Sequence, residues 1–220
     1  MGPTIARRQG TAPLHAGVNS LGGAEHWLSP PPPRHQSPQE AEQLAKEKGW
    51  AIAQDGDSWR RVVASPVPKR IVETPAIEVL LAAGVLTICC GGGGVPVAEE
   101  GGRRYGVEAV VDKDAASAVL AESLVADWLL MAMDVGAVFD PSGWPERQEP
   151  VPSPITPEDI GKYGFAAGSM APKVAAACQF VSATEGRGRA GMGSISELVE
   201  IVKGQRGTIV QEKEGGSRAA

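Results

Sequence analysis

Apolar and polar positions along the chain alternate between two periods. Ser37-Pro38-Gln39-Glu40 reads as a cap, a proline at the first helical position and an acid in the first turn. The helix it opens, AEQLAKEKG, stops at Gly49. WAIAQ and WRRVVA then form two strands around the turn DGDS. Thr74-Pro75 opens a helix through IEVLLAA, which Gly84 closes. VLTICC, at 85–90, is a continuous apolar run and predicts a buried parallel strand ending at Gly91–Gly94. A helix is predicted over Asp112–Val125 and a second buried strand over WLLMAM, ending at Asp134. A proline-rich loop follows from Asp140 to Pro157, then a short helix PEDIGKYG. Gly168-Ser169-Met170 leads into the helix PKVAAACQFV. Ser194 and Glu197 have capping-box spacing ahead of ELVEIVKG, and GTIVQ is the last strand.

Strands alternating with helices predict an α/β fold, a three-layer αβα sandwich with a mostly parallel sheet. In such sheets ligands bind beyond the carboxyl ends of strands. Residues 1–36 carry the run Pro30–Pro33 and no hydrophobic period, and are expected to be a disordered or non-homologous leader. The ordered region is expected over 37–212, with 213–220 a charged tail.

Composition narrows the field. The 220 residues carry a formal net charge of −5, which argues against a general nucleic-acid binder. No apolar stretch is long enough to span a bilayer, and the amino terminus lacks signal-peptide character. The cysteines Cys89, Cys90 and Cys178 are few and irregularly spaced, as in a reducing cytoplasm, and do not suggest a metal site. All histidines (His15, His26 and His35) fall in the expected leader, leaving none for general-base or metal chemistry in the ordered region.

Three short motifs carry candidate chemistry. Gly91–Gly94, at the predicted end of a central strand, frees the backbone for positive φ, so its N–H groups can face an anion such as a phosphate. No Gly-Lys-Ser or Gly-Lys-Thr follows, so it is not a Walker loop. Asp112-Lys113-Asp114 places a lysine at a helix start, where the dipole disfavours a cation; a phosphate-binding charge steadied by Asp114 explains it. Gly168–Lys173 brings an amine to another helix start, a place suited to anions. Taken alone, each motif has a plain alternative: a flexible turn, a dipole-complementing cap, a surface lysine. Arg60-Arg61 reads as a solvated or paired face.

Together and in order, RRVVASP, CGGGGVPV, GVEAVVDKDAASAVLAE and GSMAPKVAAACQFV closely resemble carbamate kinases of the amino-acid kinase family. The resemblance covers about Ser37 to Val210. It implies an amino-acid kinase-like fold and reversible phosphoryl transfer between ATP and carbamate, with Mg²⁺ held largely through the nucleotide phosphates. It assigns Lys113 to the transferred phosphoryl group, Asp114 to positioning the lysines, and Lys173 to the nucleotide phosphates. Gly92, Gly93 and Gly94 are expected against the phosphates, Asp134 near the nucleoside, and Met170 and Pro172 near the base. It also implies small-molecule partners (carbamate, carbamoyl phosphate, ATP and ADP), a cytoplasmic setting and, where the missing amino-terminal part is supplied, a homodimer. Nucleic-acid and membrane partners are not expected.

The sequence departs from that pattern in places. Met133-Asp134-Val135-Gly136 stands where the family usually has Thr-Asp-Val-Asp, Ala171 replaces a glycine, and Gly191-Met192 replaces two isoleucines. The family's opening Gly-Gly-Asn strand and loop are not recognisable before Ser37, so the fold is expected to be incomplete at its amino end, with apolar surface left uncovered. The alternative function is a catalytically inactive nucleotide-binding fragment. Kinases of acetylglutamate or UMP fit the motif wording less well.

Overall fold

Local chemistry sets the first ordered element of the computed structural model, which describes residues 15–17, 26–28, 37–55, 57–165 and 170–213. The Ser37 hydroxyl accepts from the Glu40 N–H, and Gly49, at φ 67°, closes helix α1 (Pro38–Lys48) in the left-handed conformation that glycine adopts most readily. The chain divides into two units: Met1–Glu73 with Ile88–Lys113, and Thr74–Thr87 with Asp114–Ala220.

The first unit holds two sheets. Strands β1 (His15–Gly17), β5 (Arg70–Ile71), β6 (Val95–Glu100) and β7 (Arg103–Gly106) lie in the order β5-β1-β6-β7. Strands β2 (His26–Leu28), β3 (Ala51–Asp55) and β4 (Ser58–Ala64) lie in the order β2-β4-β3. The predicted pair around DGDS is thus the hairpin β3–β4, with Ala51 opposite Val62. Two three-residue strands fall inside the expected leader, so His15 and His26 begin β1 and β2. The remainder of 1–36 lies outside the described residues. Arg61 is paired, as expected: it stacks on Trp50, 4.7 Å from the ring centroid, and bonds to Glu108.

The second unit is built on strands β8 (Trp128–Met133), β9 (Arg189–Ser194) and β10 (Thr208–Val210), in the order β10-β9-β8. It also holds helices α2 (Thr74–Ala82), α3 (Lys113–Ser123, whose first residue belongs to the other unit), α4 (Pro157–Ile160), α5 (Met170–Ala183) and α6 (Leu198–Val202). Alanine-rich α5 packs on all three strands. Phe180, Val181, Met192, Val210 and Ile160 are fully buried around it. Ile201 of α6 fills space that Gly191, Gly193 and Gly207 leave open: a Cβ on any of them would meet its side chain at 2.6–2.7 Å. Buried hydroxyls are satisfied, since Thr208 Oγ1 accepts from the Val138 N–H at 3.0 Å.

The α/β class stands, with more mixed pairing than expected. Among the described residues β1–β6 and β8–β9 are parallel and the other strand pairs antiparallel. Strands that follow one another closely, β3 with β4 and β6 with β7, make hairpins, which are antiparallel by construction. Two local expectations fail. VLTICC at 85–90 is not a strand, and Leu86 is 90% exposed. An apolar run becomes a buried strand only where a sheet takes it in, and none of the three sheets includes it. Ser194 and Glu197 do not form a capping box: the Ser194 hydroxyl accepts from the Ser196 N–H to start a single 3₁₀ turn, and Glu197 makes no side-chain cap.

Candidate functional site

The glycine run is placed by a close backbone approach. Cys90 begins a turn at φ 58°, a left-handed conformation that side chains seldom adopt, and its carbonyl accepts from the Gly93 N–H at 3.0 Å. Gly93 has φ 94°, and a Cβ there would stand 1.8 Å from the Val111 carbonyl oxygen. Only glycine fits. The loop therefore rests on the backbone two residues before Lys113, within the first unit. Gly92 is exposed and Gly94 half-buried at φ 92°, so the loop's outer face is backbone. Lys113 is exposed at the first position of α3.

The second unit brings together residues 59 apart in sequence. Lys173 Nζ donates to Asp114 Oδ2 at 2.8 Å, with their side chains 21% and 13% exposed. A charge-assisted bond of this length in a half-buried setting holds both groups in place. Lys173 lies in the first turn of α5, where the free N–H groups already favour an anion, and Asp114 offsets the cost of a cation there. Met170 and Pro172, half-buried, share that turn. Gly168 and Ser169, ahead of it, lie outside the described residues.

Asp134 is exposed where β8 ends, beside the end of β9, because Met133 pairs with Ser194. The structure adds Ser194, Ser196 and Glu197 to that edge. Sequence spacing marked Ser194 and Glu197 only as a cap; the signal for more is that they follow a parallel strand at its carboxyl end.

The thiols do not offer a nucleophile. Burial pushes Cys90 up to about 12, helped by Cys89 and Glu73, and pushes Cys178 up to about 11. Cys89 is raised by burial as well. Among the described residues no group of three or more His, Cys, Asp or Glu is set to hold a metal ion. A groove of about 870 Å³ is lined in part by Ile155, Thr156, Asp159, Lys162, Tyr163 and Gln211. It holds none of the predicted residues. Gln211 follows β10 at the end where Val210 pairs with Ala190, the amino end of β9, which is the wrong end for a ligand of the parallel pair. Its charges also answer one another: Lys162 bonds Asp159 at 2.7 Å and holds that carboxyl below its usual range, helped by Thr156.

Comparison with known proteins identifies the family. The family model for the amino acid kinase family matches residues 39–187. A carbamate kinase from Haemophilus influenzae is 50% identical over 179 residues, covering 81% of this chain and 56% of that protein. An Aeropyrum pernix K1 crystal structure superposes with a TM-score of 0.79 at 36% identity, covering 91% of this chain and 65% of the other. Carbamate kinase from Giardia lamblia bound to AMP-PNP superposes with a TM-score of 0.72 at 33% identity, covering 91% and 64%. The chain spans about half the length of the curated relatives it matches. No helix among the described residues is long and apolar enough to cross a membrane.

Proposed function

The chain belongs to the amino acid kinase family, and from that premise we propose that it carries the nucleotide-binding and phosphoryl-transfer residues of a carbamate kinase, reversibly moving a phosphoryl group between ATP and carbamate. The observation that carries the reading is the Lys173–Asp114 bond, which unites two motifs 59 residues apart at 2.8 Å. Phosphoryl transfer needs little covalent help from a protein; it needs position and positive charge where the phosphoryl oxygens lie. In this reading Lys113 meets the transferred group, Lys173 the nucleotide phosphates, and Asp114 orients Lys173. Gly92, Gly93 and Gly94 offer backbone N–H groups to the phosphates. Asp134 serves the nucleoside, and Met170 and Pro172 the base.

Asp114 is committed to Lys173, so the carboxylates present suit a Mg²⁺ carried on the nucleotide's phosphates rather than caged by the protein. Such an ion would neutralise phosphate charge. The same reading makes the partners small molecules, the setting the cytoplasm and, where the family's amino-terminal part is supplied, the assembly a homodimer. A second reading, nucleotide binding without turnover, draws on the apolar residues exposed along α2 and the run after it.

A coupled assay of ATP formation from carbamoyl phosphate and ADP separates the two. Turnover supports the kinase; ADP binding by calorimetry with no turnover supports the second reading. Lys173→Ala should weaken ADP binding by roughly tenfold to a hundredfold, the worth of a charged hydrogen bond. Unchanged affinity in a variant with wild-type melting would remove Lys173 from the phosphate site.

A further inference from the structure

The two edges of the β10-β9-β8 sheet differ. Residues 153–155 cover the outer edge of β10: the Ile155 N–H donates to the Ile209 carbonyl at 2.9 Å, the Gln211 N–H to the Ile155 carbonyl at 3.0 Å, and the Ile209 N–H to Ser153 Oγ at 3.0 Å. Strand β8 pairs with β9 along its whole length, from Trp128 to Met133, and no other described strand pairs with its far side. Alternate backbone groups of β8 therefore face outward without a strand to meet. Natural edges are usually short, charged or broken by proline. WLLMAM has no charge, proline or glycine. Leu130 is 36% exposed on it, and Ala132 is exposed. The same chain holds the converse feature. The run at 85–89 has strand composition, yet none of the three sheets takes it in, and Leu86 stands 90% exposed. Leu86, Thr87, Ile88 and Cys89 make no backbone hydrogen bond with any described residue.

We propose that the 85–89 run of one copy adds as a strand to the open edge of β8 in a second copy, each copy giving and receiving one strand. The result is a reciprocal dimer of this chain, independent of whether a nucleotide binds. A second copy is the fitting occupant for three reasons. Each copy carries one open edge and one unpaired run, so two copies satisfy both and leave neither over. Neither segment carries a charge, so joining them neither buries an ion nor sets like charges together. The third reason is area. Helix α2, directly ahead of the run, exposes Val79, Leu80 and Leu81, and Val85 and Leu86 continue that apolar surface. These five residues expose on the order of 500 Å² in each copy, so covering both sets buries about 1,000 Å², the least that a specific interface needs. Backbone pairing adds direction to what would otherwise be unspecific adhesion.

The test is analytical ultracentrifugation of the full chain over a range of micromolar concentrations, with hydrogen exchange read on β8. Wild type should pass from monomer to dimer as concentration rises, and outward-facing β8 amides should be protected in the dimer and exchange freely on dilution. The double variant Thr87→Pro, Ile88→Pro removes two successive N–H groups, one of which must face β8 in any strand pairing. It should raise the dimer dissociation constant roughly tenfold or more, the scale of hydrogen bonds lost at both copies of the contact. Both positions lie outside every helix and strand, so the variant should melt as the wild-type monomer does. The proposal is overturned if the wild-type chain stays monomeric, if its assemblies grow past the dimer, or if β8 exchange does not depend on concentration. It is also overturned if the proline variant dimerises like wild type, which would make the contact one of side chains alone. The exchange measurement on wild type decides the matter even if the variant does not fold.

Discussion

Helices α5 and α2 are both rich in apolar residues, and both have a proline in their first turn, yet they have opposite surroundings. In α5, Val174, Ala176, Ala177, Phe180 and Val181 are buried against β8, β9 and β10. In α2 only Ile77 is buried, while Val79 is 69% exposed and Leu80 and Leu81 are also open. Composition makes a helix probable in both places. It does not supply the surface on which an apolar face can rest. The alanines of α5 let its backbone come close to the sheet of their unit; the larger residues of α2 stay mostly exposed. An apolar side chain exposed in the folded chain adds little to stability, because unfolding gains it no new water. It does add to self-association.

The comparison has measurable consequences. Phe180→Ala removes a fully buried ring and should cost about 3–5 kcal/mol in denaturant unfolding. A loss under about 1 kcal/mol would mean that the α5 interface is looser than its burial indicates. Gly188→Ala is a subtler probe of the same packing. The added Cβ would stand 2.6 Å from Phe180 Cζ and 2.8 Å from Thr184 Oγ1, whose hydroxyl already accepts from the Gly188 N–H. It should cost about 1–3 kcal/mol by overpacking. Val79→Lys on α2 should change stability by no more than about 0.5 kcal/mol while reducing self-association in light scattering. If it destabilises as much as Phe180→Ala, the contrast between the two helices is wrong.

Several features were legible because their causes lie within a few residues. Ser37 with Pro38 starts α1 and Gly49 ends it. The DGDS signal between WAIAQ and WRRVVA fits the β3–β4 hairpin. The candidate residues were legible as motifs, and each described one falls at a helix start, a strand end or the glycine turn. Their partners were not. Nothing near Asp114 in sequence says that its carboxylate bonds Lys173, and the glycine run does not reveal that Gly93 must clear the Val111 carbonyl. The nearness of Glu197 to Gly136 had no local signal either.

The same division explains the failures. VLTICC has the composition of a buried strand, but a strand exists only when a neighbour offers its backbone groups, and no window of six residues encodes that neighbour. Ser194 and Glu197 have the spacing of a reciprocal cap, but the chain leaves β9 in a 3₁₀ turn, so the hydroxyl meets Ser196 first. Helix caps, turns and amphipathic stretches follow from the chain alone, since steric limits and hydrogen bonds of three or four residues' reach enforce them. Sheet membership, the Asp114–Lys173 bond and the polar edge at the ends of β8 and β9 depend on contacts across tens of residues. Those contacts form only when the apolar faces find each other, because burial favours whichever surfaces are there to meet.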